Sequence, residues 1–402
     1  MQKRLDNFKM VDIIKYLSAF LVICIHCNPI VKDPHLNYFI KQFICRTAVP
    51  FFFVSSAFFV RRGMQYKPAY LKHYLKNLGK SYIIWSIVFI PIGVDWINQN
   101  LRLSHNMLPL ALVFGLIHVG TYYHLWYIPA LLLSLLGVAK ALNYFSYKTL
   151  LFISTLLYLF GSLETYYGYM SKGWLKTFFD LIIQIFFTTR SGFLFGMVFV
   201  VIGFIIYDYQ EQLQKFLEYV PAFTIYSAFL LIGEVVCLYH VEKLDMNFLL
   251  MLLPFTFFAF LWSISHSHDI RFDTKKIRDL SKYYYFIHPV CIVIIEEIGK
   301  AFRAPLISSG MISFVLICMF THIVSSVIIQ IQKRDFQINC LLKTLILGLI
   351  PTFLIASLIY SFKGMSIVLK FELVPSIYLI TSISIYHITQ SRNYKLNEKK
   401  GG

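Results

Sequence analysis

Three ionisable side chains lie inside strongly apolar sequence near the start of the chain: Lys15, His26 and Arg46. Such groups are costly within a membrane span and usually face a bundle interior or a water-filled cavity, so each is a candidate functional residue. Lys15 and His26 are eleven positions apart, close to three helical turns, which predicts one shared helix face with the two side chains about 16 Å apart. A neutral imidazole accepts a proton near pH 7, which makes His26 the candidate general base. Arg46 is the candidate cation for a developing negative charge.

The elements that position these residues must be membrane helices. The chain is 58% hydrophobic and 14% charged, and apolar runs of about 20 residues, the length that crosses a bilayer core, recur along it. Continuous runs exclude a strand barrel, which would show alternation. The net charge of +17 does not indicate a nucleic-acid partner, because Lys and Arg are spread over the loops as they are in membrane proteins. The seven cysteines have no metal-ligand spacing and are expected to be free, packed thiols.

The sequence therefore predicts an all-α, polytopic membrane protein with about 10–12 transmembrane helices, the lipid bilayer being its first partner. The first apolar run is long and lacks a small-residue cleavage site, so it is a retained span rather than a signal peptide. With the N-terminus inside, 24 Lys and Arg fall on the inner segments and 11 on the outer ones, which places both termini in the cytoplasm. The candidate spans are roughly 11–31, 38–60, 81–97, 124–142, 146–164, 191–207, 222–240, 246–265, 283–298, 307–331, 341–360 and 372–389.

Two motifs in the first spans resemble the membrane acyltransferase-3 family, the multi-span O-acyltransferases that modify cell-surface polysaccharides. That family has a basic residue, ten intervening residues and a His in its first span, a spacing kept here by Lys15 and His26. Its second span carries a motif similar to the run from Arg46 to Ala57, RTAVPFFFVSSA. The chain departs from the family pattern with Lys for Arg at position 15 and Ala for Gly at position 57. Lys keeps the charge but lacks the planar bidentate fork of Arg.

Three later stretches are similar to the family at single motifs. Tyr123 to Pro129, YHLWYIP, contains His124 and Trp126 as candidate acceptor-site residues; the alternative is an interfacial aromatic belt. Arg190, which begins an Arg-x-Gly-aromatic run, is placed at the outer mouth by the resemblance, and interfacial snorkelling is its alternative. His288, in SKYYYFIHP, is either a site residue or a packed core histidine.

The most basic segment is 61–80. It offers Arg61-Arg62 and then Lys72 and Lys76, one turn apart, as candidate contacts for the phosphates of a cytosolic acyl-coenzyme A, because family members carry paired Arg residues after the second span. Anchoring on anionic lipid is the alternative. His266 and His268 are only two residues apart with no third ligand, so no metal site is predicted.

The resemblance implies an acyltransferase that moves an acyl group, acetyl by family default, from cytosolic acyl-coenzyme A to a hydroxyl of a cell-surface glycan or small molecule. Transfer is expected to be direct, with Lys15 contacting the donor and no cofactor bound. The resemblance covers residues 1–332, the expected acyltransferase-3-like transmembrane domain. An additional transmembrane hairpin, 333–390, and a polar cytoplasmic tail, 391–402, are expected to follow. Some sequence motifs resemble the membrane half of glycopeptide-resistance serine racemases more than they resemble generic sugar acetylases. In that subgroup the membrane part is associated with amino-acid uptake. A transporter or delivery module for a small solute such as an amino acid is therefore the alternative. A bacterial cell membrane is the expected location.

Overall fold

The described part of the chain is a bundle of helices in which no residue forms a β-strand. The structure is a computed structural model that describes residues 8–100, 107–267, 270, 272–332 and 348. The α-helices are α1 Lys9–His26, α2 Pro34–Phe39, α3 Ala48–Tyr66, α4 Tyr70–Asn100, α5 Leu108–His118, α6 Tyr127–Ala141, α7 Tyr147–Ser162, α8 Trp174–Phe186, α9 Met197–Asp208, α10 Gln210–Leu213, α11 Val220–Cys237, α12 Leu252–Ser265, α13 Lys275–Ala301, α14 Pro305–Ser308 and α15 Gly310–Gln332.

Several of these helices have the length and composition of membrane spans, which confirms the predicted polytopic helical class. Within the described ranges five qualify, and a sixth does if Gly192–Asp208 is counted together with Gln210–Phe216, from which it is bent by 80°. Helices α7 and α12 are apolar but shorter. The five are Pro34–Tyr66, Tyr70–Val94, Tyr123–Ala141, Val220–Cys237 and Gly310–Gln330.

The largest apolar core forms where α3 packs on α9, with α6, α7, α11 and α12 around them. The two central helices approach closely because Gly203 of α9 has no side chain. A Cβ at Gly203 would lie 2.5 Å from the carbonyl oxygen of Val54 and 2.6 Å from the Cβ of Ala57. A second core joins α1, α13 and α15 through Ile23, Tyr284 and Val324. The bundle therefore holds α1 between its two cores.

The second span begins with irregular backbone. The Asp33 side chain accepts a hydrogen bond from the backbone N–H of Leu36 at 2.7 Å and so caps α2. The span then passes through a π-helical segment, Ile40–Ile44, and a 3₁₀ turn, Cys45–Thr47, before α3 starts. Pro50, in the first turn of α3, cannot donate a hydrogen bond to the preceding turn. This irregular segment carries Arg46, whose side chain is 17% exposed.

Two predicted helix boundaries were wrong by several residues. The span expected at 246–265 starts only at Leu252, because the backbone N–H groups of Leu250 and Met251 donate to the carboxylate of Glu234 at 2.5 and 2.9 Å. The span expected at 283–298 is part of a longer helix, Lys275–Ala301, which begins with a polar and basic stretch. The predicted hairpin 333–390 and tail 391–402 lie outside the described residues, Gly348 excepted.

Candidate active site

Three histidines from three separate sequence motifs meet at one place. His26 is the last residue of α1, His124 lies in the 3₁₀ turn Tyr123–Trp126, and His288 lies in α13. The His288 ring centroid is 5.5 Å from that of His26, nearly parallel to it, and 5.5 Å from that of His124. The ring of Tyr123 lies 4.8 Å from His26. The structure thus brings together three residues that the sequence marked independently, and we call these three side chains the histidine cluster.

The buried members of the histidine cluster have unused hydrogen-bonding atoms. His288 Nδ1 lies 2.8 Å from the carbonyl oxygen of Tyr284. A carbonyl only accepts, so Nδ1 carries the proton and Nε2 of the neutral ring keeps a free lone pair. Among the described residues, neither His288 Nε2 nor either ring nitrogen of His124 has a partner, although both side chains are buried. Buried polar atoms without partners are costly and call for an explanation, which here is a ligand or ordered water.

Beside the histidine cluster, two arginines share one carboxylate. Asp245 lies 3.6 Å from Arg46 and 2.9 Å from Arg190. Arg46 also donates to the side-chain oxygen of Asn247 at 2.6 Å. Arg190 stacks over Trp126, 5.6 Å from the ring centroid, in the same 3₁₀ turn that carries His124. The predicted residues Arg46, Arg190 and Trp126 are therefore linked to one another, and the positive charge exceeds the charge of Asp245.

The loop that supplies Asp245 is fixed by a residue from another part of the chain, Glu164. The Glu164 carbonyl accepts from the backbone N–H of Leu244 at 3.0 Å. Its carboxylate accepts from Thr189, at 2.8 Å from the backbone N–H and 2.5 Å from the hydroxyl, and from the Thr188 hydroxyl at 3.2 Å. Glu164 thus ties the Asp245 loop to the residues just before Arg190. Sequence reasoning missed both acids, although carboxylates between apolar runs are scarce enough to be a signal.

The two carboxylates respond oppositely to their surroundings. Burial alone would raise the pKa of Asp245, but Arg190 and Arg46 outweigh burial and hold that pKa below its ordinary value. Burial, and then the neighbouring Asp245, raise the pKa of Glu164 above its ordinary value. Asp245 is therefore the carboxylate that carries the charge opposite the two arginines.

Lys15 lies at the other end of α1, in a cavity of about 510 Å³. The charged side chains of the lining are three cations, Lys15, Arg278 and Lys282, and one acid, Asp279; His73 and Asn77 are among its neutral polar residues. The cations outnumber the acid, as expected of a site for an anionic ligand. In the orientation predicted from the Lys and Arg distribution, this cavity faces the cytoplasm. Lys15 and His26 thus lie on one helix, as predicted, but Lys15 lines the cavity and His26 belongs to the histidine cluster.

An acid that sequence reasoning missed holds one cation of the cavity. Asp12 is buried in the first turn of α1, and it accepts a hydrogen bond from the Thr274 hydroxyl at 2.6 Å and lies 3.6 Å from Arg278. One turn earlier, Lys9 donates to the carbonyl of Ile270 at 2.7 Å. These contacts fasten the start of α1 to the start of α13, and thereby fix Arg278 at the cavity.

A wall of tyrosines separates the cavity from the histidine cluster. Tyr127 and Tyr285 both line the cavity, and their ring centroids are 5.6 Å apart. The Tyr285 hydroxyl donates to the carbonyl of His124 at 2.8 Å, and its ring lies 5.6 Å from the His124 ring. The Tyr127 hydroxyl pairs with Ser56 at 3.3 Å. We call Tyr127 and Tyr285 the tyrosine wall; Tyr285 touches both sides of it.

The remaining predicted donor-site residues lie away from the cavity. Arg61 forms an ion pair with Asp208 at 2.8 Å, and Arg62 stacks over Phe8 at 5.1 Å. Lys72 and Lys76 are not among the residues that line the cavity, whereas His73 and Asn77, one position further along the same helix, are. A role for these four residues in donor binding stays a prediction. In the part of the chain that the structure describes, no group of three or more His, Cys, Asp or Glu is arranged to hold a metal ion.

Comparison with known proteins identifies the family. A family model described as an acyltransferase domain matches residues 8–330. The chain belongs to this acyltransferase-3 family. The match contains all three members of the histidine cluster, both arginines beside it and the residues that line the cavity.

The curated relatives carry a different kind of name. The chain is 27% identical over 338 residues to an amino-acid racemase of Enterococcus faecalis, covering 81% of this chain and 46% of the relative. It is 25% identical over 321 residues to a serine/alanine racemase of Enterococcus gallinarum, covering 78% and 45%. The chain spans less than half the length of the curated relatives that it matches. No solved structure matches it.

Proposed function

We propose that the protein transfers an acyl group, acetyl by family default, from acyl-coenzyme A in the cavity to a hydroxyl bound at the histidine cluster. The observation that carries the proposal is Tyr285, which lines the cationic cavity and also contacts His124. A donor site and a site with free imidazole nitrogens are thus separated by one layer of side chains. Each is suited to one half of an acyl transfer.

The proposed donor site uses the charge of the cavity. The phosphates of coenzyme A are met by Lys15, Arg278 and Lys282, and the thioester end of the arm points towards the tyrosine wall. A cavity of about 510 Å³ has room for part of this ligand and not for all of it, so the nucleotide end extends beyond its mouth. Asp12 orients Arg278 and does not itself contact the donor.

In the proposed transfer step, His26 takes the proton from the acceptor hydroxyl while the oxygen attacks the thioester carbonyl. The new carbon–oxygen bond forms and the carbon–sulfur bond breaks, and the proton on His26 passes to the leaving thiolate. His288 stacks on His26 and fixes its ring plane. The excess positive charge of Arg46 and Arg190 favours the negative charge that develops on the carbonyl oxygen.

The test is transfer of label from radiolabelled acetyl-coenzyme A in inverted membrane vesicles, which expose the cytoplasmic side to the added donor. Wild type is compared with His26→Ala and with the matched control His35→Ala, an exposed histidine that stacks on Tyr239. Label in a glycan or lipid fraction that is lost in His26→Ala and kept in His35→Ala supports the proposal. Label that persists in His26→Ala contradicts the assigned base.

The relatives' names leave a second function open. The chain matches part of proteins named amino-acid and serine/alanine racemases, and the alternative is a transporter or delivery module for a small solute such as an amino acid. Lys15 and His26 then line one solute path. Uptake of labelled serine that falls in Lys15→Ala, in membranes that neither bind acetyl-coenzyme A nor transfer its label, favours the transporter.

A further inference from the structure

Two buried thiols from consecutive spans face each other beside the histidine cluster. The Sγ atoms of Cys24 in α1 and Cys45 in the 3₁₀ turn are 3.1 Å apart, and the two residues are 4% and 3% exposed. A disulfide bond is about 2.05 Å long. The two sulfurs therefore need to approach by only about 1 Å to form one.

The backbone around Cys45 is irregular. Cys45 begins the 3₁₀ turn that directly follows the π-helical segment Ile40–Ile44, so the helical hydrogen-bonding pattern changes at this residue. The surroundings of the two thiols are apolar and include Ile30, Leu21 and Phe314. Two thiols in contact thus lie where the second span departs from a regular α-helix.

A cation lies near the pair. The Lys41 ammonium donates to the carbonyl of Cys27 at 2.6 Å. Cys27 follows Cys24 by three residues in the first span, and Lys41 precedes Cys45 by four residues in the second span. Thiolate, not thiol, is the attacking form in disulfide exchange; the neighbouring ammonium favours the thiolate, whereas the apolar surroundings oppose it.

The pair is placed where a crosslink would act on the site. Cys24 precedes His26 by two residues, and Cys45 directly precedes Arg46. A bond between the two sulfurs ties the end of α1 that carries His26 to the turn that carries Arg46. The crosslink therefore restrains the histidine cluster relative to the arginines, whatever reaction or passage takes place there.

We propose that Cys24 and Cys45 are a disulfide-forming pair, oxidised by exchange with a disulfide compound. One thiolate attacks the compound and releases its first thiol; the second thiolate then attacks the mixed disulfide and releases the other. The two protein thiols lose two protons and two electrons, and one disulfide compound gains them as two thiols. No other oxidant is needed.

The experiment uses the full-length protein in membranes, treated with dipyridyl disulfide, a small apolar probe. The protein is then denatured, free thiols are alkylated, and peptides are analysed by mass spectrometry with and without reduction. We expect loss of both alkylated thiols and a crosslinked peptide lighter by two hydrogen atoms, both reversed by reduction. Alkylation of Cys291, buried in the other core, is the internal control.

Variants make the result specific to this pair. In Cys24→Ser, Cys45 carries either a free thiol or a pyridyl adduct and the crosslinked peptide is absent; in Cys27→Ser, the crosslink forms as in wild type. Two free thiols, two separate pyridyl adducts, or a crosslink from Cys24 to Cys27 or Cys318 in wild type overturns the proposal. Because the readout is peptide mass, it does not depend on acyl transfer, and wild type alone decides it if a variant does not fold.

Discussion

Replacing Asp245 with Asn leaves two largely buried guanidinium groups without their shared counter-charge. Asp245 lies 2.9 Å from Arg190 and 3.6 Å from Arg46, and the three side chains are 13%, 28% and 17% exposed. Removing one partner of a fully buried ion pair costs about 3–5 kcal/mol, whereas an exposed pair contributes about 0–1 kcal/mol. These groups are partly solvated and each arginine keeps another contact, Arg46 with Asn247 and Arg190 with Trp126, so we expect a loss between the two limits, about 1–3 kcal/mol.

The assay is denaturant unfolding of the purified protein in detergent, with Glu297→Gln as the matched control. Glu297 pairs with Lys300 at 2.8 Å, but their side chains are 54% and 65% exposed. An exposed pair contributes about 0–1 kcal/mol. A loss for Asp245→Asn no larger than the loss for Glu297→Gln would refute the reasoning that Asp245 neutralises buried cations.

The same carboxylate predicts a pH dependence with a definite sign. The folded-state pKa of Asp245 is lowered below the ordinary value of 3.8. A depressed acid pKa gives stability that is present above the unfolded value and is lost as the pH falls towards the folded value. The stability gap between wild type and Asp245→Asn should thus be constant near neutral pH and narrow below 3.8. A gap that stays unchanged through that range contradicts the assigned charge state.

Three further outcomes follow from contacts at the cavity and the core. Asp12→Asn loosens Arg278, so the donor KM should rise by up to about tenfold while kcat changes less; an unchanged KM with a lowered kcat contradicts the positioning role. Tyr285→Ala opens the tyrosine wall and should raise transfer of hexanoyl relative to acetyl groups, whereas Tyr285→Phe, which removes only the hydrogen bond to His124, should lower both equally. Gly203→Ala adds a methyl group where α9 meets α3 and should destabilise the protein by about 1–3 kcal/mol in denaturant unfolding; equal stability would show that the helices can separate.

The helices were predictable because membrane spans are long and continuous. Apolar length alone placed every candidate span between 11 and 331 on a helix of the structure. The start of α12 at Leu252 was not predictable, because it depends on Glu234. The Glu234 carboxylate accepts a hydrogen bond from the backbone N–H of Leu250, which lies sixteen residues later in the chain. A local sequence pattern does not predict a hydrogen bond between residues that only the folded chain brings together.

The histidines were predictable one at a time, and their meeting was not. His26, His124 and His288 each stood in a family-like motif, but nothing in the spacing said that residues from α1, a 3₁₀ turn and α13 would share one site. The acids around them were missed because their partners are distant in sequence. Asp245 is about 200 positions from Arg46, and Thr274 is 262 positions from Asp12.

The cavity is lined by residues that the basic run did not indicate. Lys72 and Lys76 were chosen because the segment 61–80 is strongly basic, and a role for them stays a prediction; the residues of this helix turn that line the cavity are His73 and Asn77. Lysines prefer the solvated side of a helix, so a basic run marks the outward face. One residue of helical rotation, about 100°, separates that face from the cavity.

The two proposed functions make different demands on the tyrosine wall. In the proposed acyl transfer only the acyl group must reach the histidine cluster, because the rest of the donor stays in the cavity that Lys15 and Arg278 line and beyond its mouth. A transporter must move the whole solute past Tyr127 and Tyr285, which contact each other. Acyl transfer thus requires only a small displacement of Tyr285. Solute passage requires α6 and α13 to separate, and a crosslink that holds these helices together would abolish uptake while leaving acetyl transfer measurable.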